Sequence, residues 1–272
     1  MVLKNKTKFL KIVKDIEDIK IQGARNIAGY ALYAYLMSPT KEAIKMLKGA
    51  RPTEPMLFYV LDLLEKGEDH NKILNHFLEA QEEINKNVFE LLEKKEIIFT
   101  HCHSTNVVKS LIYAHKNKKN IKVYNTETRP LFQGRKTARH LSKAGIEVTT
   151  YIDSAVGVAL GNEGKTKRVS KIFLGADALV KEGVINKIGS EVVARLAREE
   201  KIPVYIIADS WKFSKKKIPI ENRKLNEVWD KAPKNIKIKN PAFEFVPKRY
   251  IKGIITELGL MKYKTFVKKM LK

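Results

Sequence analysis

Two short segments of this sequence carry groups that can move protons on a small molecule. In the first, Thr100-His101-Cys102-His103-Ser104 follows an apolar run and precedes a helical pattern. In the second, Gly175-Ala176-Asp177 follows the apolar run Ile172 to Leu174. In an open α/β sheet the ligand crevice lies outside the carboxyl ends of the strands, so Cys102 and Asp177 both stand where such a fold puts its chemistry. A thiol ahead of a helix N-terminus has its thiolate favoured by the helix dipole and by any nearby cation. A carboxyl group in an apolar pocket keeps its proton to higher pH and can serve as an acid. Taken singly, each also has an ordinary reading: a buried aspartate closing a turn, and an inert buried cysteine. Alternation along an extended strand sends His101 and His103 to the face opposite Cys102. Three adjacent residues make a poor zinc site, so no metal is expected.

A second group of positions could hold anions. Gln22-Gly23-Ala24-Arg25 opens a helix, where backbone N–H groups and the dipole favour negative charge. Asn186 and Lys187 precede another helix start near Gly189 and Ser190. Arg51 lies in a loop bounded by glycine and proline, Arg129 at a strand-to-helix junction, and Lys212 just beyond an apolar strand. An exposed cation alone is usually only solvated. Together these groups describe a pocket suited to a ligand with two phosphates.

The elements that must position these groups follow from periodicity. Residues 1–95 read as helices: Leu10, Ile12, Val13, Ile16 and Ile19 recur at helical spacing, Thr40 can cap a helix over 41–48, and a long helix is expected over 71–95. From Glu96 onward, strand and helix signals alternate. Strands are expected at 97–100, 121–124, 146–152, 171–174 and 204–208. Between them lie helices at 104–115, 130–144, 155–160 and 189–200, with a polar loop over 161–168. That alternation predicts a parallel, right-handed, doubly wound α/β sheet over 96–272. Residues 211–243 read as a long polar connection, 243–246 as the last strand, and 251–260 as the closing segment. No Gly-x-Gly-x-x-Gly follows the first strand, so a dinucleotide cofactor, or any cofactor, is not expected.

The totals set outer bounds. The 272 residues provide for an ample core, and their single cysteine rules out an intrachain disulfide and a cysteine-based metal cluster. No apolar run is long enough to span a membrane, and the first residues do not resemble a signal peptide, so a cytoplasmic protein is expected. The 53 Lys and Arg against 30 Asp and Glu give a net charge of +23, which attracts phosphorylated ligands and polyanions. The lysines are scattered, without the aromatic interleaving of a nucleic-acid module, so nucleic-acid binding is not expected.

The segments Thr126 to Arg135, Gly175 to Asp177 with Gly183 to Gly189, and Tyr250 to Gly259 resemble the family that unites the α, β and δ subunits of translation initiation factor 2B with sugar-phosphate isomerases. The resemblance covers nearly the whole chain. It implies a helical N-terminal domain, 1–95, and a Rossmann-like domain, 96–272. The isomerases of the family are similar in carrying both the cysteine and the aspartate, here Cys102 and Asp177. The length is most similar to archaeal ribose-1,5-bisphosphate isomerase, which acts in AMP breakdown. Carried over by position, the resemblance implies substrate contacts at Gln22 to Arg25, Arg51, Ser104, Thr105, Asn106, Asn186, Lys187 and Lys212. It also implies a homo-oligomer, dimer or hexamer, and admits AMP as an activator. Where that isomerase has Arg-Gly-Ala-Gly, this chain has Gln22-Gly23-Ala24-Arg25. Losing one charged hydrogen bond to phosphate costs ~1.5–3 kcal/mol, or ~10–100-fold in affinity, unless Arg25 compensates.

The chemistry expected of such a site is aldose–ketose isomerisation. An aldose 1-phosphate is locked as a ring until an acid protonates the ring oxygen, and hydrogen must then pass from C2 to C1. The sequence assigns Asp177 as that acid and Cys102, as thiolate, as the base at C2; a hydride shift would use the same pair differently. Two alternatives stay open: an isomerase of another sugar 1-phosphate, and a non-catalytic regulatory subunit that binds a nucleotide or sugar phosphate and a protein partner.

Overall fold

The computed structural model describes residues 2–161 and 167–272. Residues 162–166 of the polar loop expected over 161–168 lie outside the described residues.

The first third is helical: α1 (Val2–Glu17), α2 (Ala24–Met37), α3 (Lys41–Ala50), α4 (Pro55–Glu65) and α5 (His70–Leu91). Their starts are written locally. The Thr40 hydroxyl accepts from the Ala43 N–H at 3.1 Å, Pro55 sits in the first turn of α4, and the Asp69 carboxylate accepts from the Asn71 N–H at 2.9 Å. Ile16, Ile27, Leu32, Leu47, Leu57 and Leu61 fill the core between them. Helix α5 serves two cores, with Ile73 and Phe77 facing the helices and Ile84 and Val88 facing the sheet. It stops at Leu91 rather than Lys95, because Lys95 already pairs as a strand with Asn120.

Strands and helices then alternate: β1 (Lys95–Thr100), α6 (Thr105–Lys116), β2 (Asn120–Thr126), α7 (Gln133–Lys143), β3 (Glu147–Tyr151), α8 (Val156–Leu160) and β4 (Lys171–Leu174). After β4 come β5 (Ala178–Val180), β6 (Gly183–Lys187), α9 (Ser190–Glu199), β7 (Val204–Ile207), β8 (Phe243–Pro247), β9 (Gly253–Thr256), β10 (Gly259–Met261) and α10 (Tyr263–Leu271). The main sheet runs β10-β9-β7-β4-β1-β2-β3, all parallel except β10. The doubly wound α/β fold expected from the alternation is therefore present. The strand order reverses between β1 and β4, and the crevice beyond their carboxyl ends is the natural ligand site.

Three further features differ from expectation. Helix α7 begins at Gln133 instead of Pro130, because Phe132 takes a left-handed conformation, φ 57°, that breaks the helix before it starts. The segment 243–247 does not extend the main sheet but pairs with the fully buried β6, completing a small antiparallel sheet β5-β6-β8. The edge of the main sheet is instead built from the closing segment, where buried Gly253-Ile254-Ile255-Thr256 runs parallel to β7.

Candidate active site

Strand β1 ends at Thr100, and the next residues turn sharply: Cys102 has φ 66°, in the left-handed region. Two threonines pin that turn. The Cys102 N–H donates to the Thr128 hydroxyl at 3.0 Å, and the Thr137 hydroxyl donates to the Cys102 carbonyl at 2.8 Å. Strand alternation therefore stops one residue before Cys102, and Cys102 and His103 face the same cavity. This corrects the expectation of opposite faces. His103 is nonetheless no cationic partner for the thiol. Burial, aided by Lys136 and His140, holds its imidazole down to about 4, so the ring is neutral at neutral pH. The Thr137 hydroxyl already donates to Cys102, so it accepts from His103 Nδ1 at 2.9 Å.

His101 turns away into the core. Its Nε2 lies 2.8 Å from the Ile188 carbonyl, which can only accept, and its Nδ1 lies 2.5 Å from the Thr126 hydroxyl. Burial lowers its titration, so the ring is a neutral strut joining β1, β2 and the start of α9. Gly189, φ 100°, passes against this ring; a Cβ there would come within 2.9 Å of His101 Nε2.

Asp177 follows β4 and is held by its N–H, which donates to the Ile185 carbonyl at 2.9 Å. The preceding Gly175 lets the end of β4 approach the N-terminus of α6, where a Cβ would lie 2.7 Å from the Ser104 side chain. Ser104 caps that helix, as expected, its hydroxyl accepting from the Val107 N–H at 3.4 Å. Lys212, buried after β7, donates to the Ala176 carbonyl at 2.6 Å. Lys187 is also buried, its ammonium 5.2 Å from the centre of the Phe243 ring. Asn186 donates to the Ser190 hydroxyl at 2.8 Å, fixing the last turn before α9.

The helical half closes the cavity from above. Ala24 starts α2, and Gly23, φ 87°, supplies the turn before it. The Gln22 amide is turned back to the Ile19 carbonyl at 2.9 Å. Arg25 is half-buried, its guanidinium 5.7 Å from the Phe77 ring centre and drawn electrostatically to Asp209. Arg51 is buried and pairs with Glu221 of the long connection, Nη2 to Oε2 at 2.9 Å. The same carboxylate lies 2.6 Å from Arg223 Nε, an ion pair too bent to count as a hydrogen bond.

The enclosed space is about 190 Å³. Its walls include Gln22, Gly23, Ala24, Arg25 and Arg51 from the helical half. From the sheet they include Cys102, Ser104, Thr105, Asn106, Asp177, Asn186, Lys187 and Lys212. Every expected position is thus brought to one cavity except Arg129. Its N–H is bound by Asp153 at 2.6 Å and its guanidinium by the Val228 carbonyl at 3.1 Å, outside the wall. Lys136, Arg223 and Glu54 line the cavity without having been singled out in the sequence. Glu54 sits between Thr53 and Pro55, where it reads only as part of a helix start. The lining cations outnumber the carboxylates Glu54, Asp177 and Asp209, so the cavity favours an anion.

Burial acts on both groups that could move protons. Burial pushes the Cys102 thiol up to about 11, against the pull of Lys187. Burial also raises Asp177, against Lys212, Lys187 and Arg51. Burial thus favours the protonated form of Asp177 and keeps Cys102 a thiol, where the sequence leads to a thiolate.

Beside the cavity, ligand-type atoms of His76, Asp209 and Glu257 lie within 4.8 Å of one another. Internal bonds account for the cluster: Asp209 Oδ1 accepts from the Trp211 N–H at 2.9 Å and meets His76 Nε2 at 3.2 Å, while Glu257 accepts from both the N–H and hydroxyl of Ser210. It fastens α5 to the ends of β7 and β9.

The sequence model of the Initiation factor 2 subunit family matches residues 31–263. Ribose 1,5-bisphosphate isomerase of Methanocaldococcus jannaschii is 42% identical over 151 residues, 53% of this chain and 47% of that protein. Methylthioribose-1-phosphate isomerase of Koribacter versatilis is 41% identical over 157 residues, 53% of this chain and 43% of that protein. The chain spans about half the length of these curated relatives. Among solved structures, a translation initiation factor eIF-2B from Pyrococcus horikoshii superposes with a TM-score of 0.81 at 26% identity, covering 93% of this chain and 96% of that one. The 5-methylthioribose 1-phosphate isomerase of the same organism superposes at 0.76 and 26% identity, covering 97% and 87%.

Proposed function

The chain belongs to the Initiation factor 2 subunit family, and from that membership we propose that it is an aldose–ketose isomerase converting ribose 1,5-bisphosphate to ribulose 1,5-bisphosphate. The observation that carries this reading is the meeting of Asp177, whose protonated form is favoured by burial, with Cys102 in one cation-lined cavity. Helix starts at Ala24 and Thr105, with Lys187 and Lys212, supply anchoring points for phosphate. Asp177 gives its proton to the ring oxygen as the bond from C1 to that oxygen breaks. Cys102 lines the same cavity, where this reading places the C1–C2 bond of the sugar. Its thiol holds its proton, so we assign the hydrogen transfer to a direct shift from C2 to C1 rather than to abstraction by thiolate. The curated relatives named above support the reaction class, and the buried arginine corner supports a second phosphate.

The test is phosphorus and carbon NMR of the protein with ribose 1,5-bisphosphate, with and without AMP, and with methylthioribose 1-phosphate in parallel, in deuterated water. Ribulose 1,5-bisphosphate without solvent deuterium at C1, lost in Cys102→Ser and Asp177→Asn, supports both the reaction and the shift. Deuterium at C1 restores the thiolate route, and conversion of the methylthio sugar alone moves the substrate assignment. A second reading has an observation behind it: initiation-factor structures superpose over nearly the whole chain. Binding of a sugar phosphate without turnover, in a protein that also captures a protein partner, favours that regulatory reading.

A further inference from the structure

Glu54 is the buried group that the reaction above leaves unused. It precedes Pro55 at the start of α4, its residue is 3% exposed, and it lines the cavity. Its Oε2 is buried and has no hydrogen-bond partner, although leaving a buried carboxyl oxygen unpaired is costly. The nearby basic groups do not supply one in this arrangement: Arg51 and Arg223 form ion pairs with Glu221, their Nε atoms left without a hydrogen bond, and Lys212 donates to the Ala176 carbonyl. An unpaired carboxyl oxygen at the wall of a ligand cavity calls for a hydrogen-bond partner on the ligand.

The isomerisation supplies one. As C2 becomes a carbonyl carbon, its hydroxyl must lose a proton; the Cys102 thiol already holds its own, and of two coupled carboxyls that share one proton, the one without it can take it. We propose that Glu54 is a second acid–base residue of this cavity, taking the proton of the substrate's C2 hydroxyl while Asp177 delivers its own to the ring oxygen. This rests on the isomerase reading of the same site.

The step balances. The bond from C1 to the ring oxygen breaks, and the ring oxygen binds the Asp177 proton. Hydrogen moves with its electron pair from C2 to C1. The electrons of the C2 hydroxyl bond form the second bond of the carbonyl, and the released proton binds Glu54. One proton enters and one leaves, with no external oxidant or reductant. Transfer from Glu54 back to Asp177 resets the pair.

The surroundings fit two carboxyls sharing one proton. Glu54 is faced by Asp177 and Glu221, which favour its neutral form, and by Arg51 and Lys212, which favour the ion; burial dominates and holds its proton up to about 8. Asp177 is faced by Lys212, Lys187, Arg51 and Glu221, and is likewise raised by burial. Ionised Asp177 is among the groups that raise Glu54, so the two titrate as a pair; near neutrality the retained proton rests on Glu54 and passes to Asp177 as the substrate is seated, which leaves Glu54 as the base.

The experiment uses the full chain with Glu54→Gln and Glu54→Asp, measuring kcat and KM against pH with ribose 1,5-bisphosphate. The expected result is a kcat lower by about 100-fold or more in the glutamine variant, a KM within a few-fold, and partial rescue by aspartate with a shifted pH profile. A glutamine variant that keeps kcat within about threefold, well short of a general base's usual share, overturns the proposal. A second readout needs no substrate: the infrared carbonyl stretch of protonated carboxyls, titrated in the wild type, Glu54→Gln and Asp177→Asn. Each neutral variant should let the remaining carboxyl ionise at lower pH than the wild-type pair. An Asp177→Asn protein whose remaining band titrates as in the wild type overturns the shared proton. A wild type that turns over no sugar 1-phosphate sinks the isomerase reading itself, a result separate from a glutamine variant that stays active beside an active wild type.

Discussion

Cys102 offers a direct check on the electrostatics of the cavity. Its thiol is pushed from an ordinary 9.0 to about 11, chiefly by burial. Two pH units amount to about 100-fold less thiolate at neutral pH, or about 2.7 kcal/mol against ionisation. Only the thiolate alkylates. The rate of iodoacetamide labelling, followed by mass spectrometry of the protein's single cysteine, should therefore rise about tenfold per pH unit and still be climbing at about pH 9. Steric hindrance lowers the rate equally at every pH, so the position of the plateau, not the absolute rate, reports the titration. Lys187 is the strongest influence pulling the thiol down, so Lys187→Met should move the plateau further up. A plateau at or below about pH 8 in the wild type, a normal or activated thiol, would refute the reasoning and return the thiolate base to the mechanism. An unchanged profile in the lysine variant would refute the assignment of Lys187 as the group beside the thiol.

Three other outcomes follow from particular contacts. Gly134→Ala places a Cβ 1.8 Å from the Thr126 carbonyl oxygen, so either α7 or the end of β2 must move; a loss of about 1–3 kcal/mol is expected from the urea midpoint. Lys171→Met removes the partner of Glu96, a buried ion pair with side-chain exposures of 12% and 4%, and should cost about 3–5 kcal/mol by the same measurement, most of it recovered by adding Glu96→Gln. Glu54, raised to about 8 from an ordinary 4.5, binds its proton more tightly folded than unfolded. Its contribution to stability is therefore complete below about pH 4.5 and fades as pH rises to about 8, so Glu54→Gln should gain on the wild type across that window in thermal melts.

Much of the architecture could be read from local pattern. The apolar runs ahead of Cys102 and Asp177 do become β1 and β4, and they flank the reversal in strand order, so two residues 75 positions apart in the sequence meet in one cavity. Ser104 and Thr40 cap helices because a hydroxyl one residue ahead of a helix is a local signal. What escaped was set by tertiary partners. Segment 243–247 has the composition of a sheet strand, but only the buried edge of β6 decides which sheet it joins. The facing of His103 was misjudged because β1 ends at Thr100 and Cys102 leaves the extended region, something two threonines 26 and 35 residues downstream enforce. Glu54 escapes local pattern because a glutamate before a proline at a helix start is ordinary; the charges that face it, Asp177, Lys212 and Glu221, lie far along the chain.

The pairing of Arg51 and Arg223 with Glu221 has a consequence for affinity. A phosphate entering that corner does not meet bare cations; it must displace a carboxylate already seated there. Binding at this end is an exchange of one anion for another, so its free energy is a difference between two similar attractions, and ionic strength acts on both. A cavity with this many basic groups would ordinarily lose ligand steeply as salt is added. Here the resident glutamate damps that dependence and leaves selectivity to geometry: a flat carboxylate against a tetrahedral phosphate, judged by the same guanidinium fork.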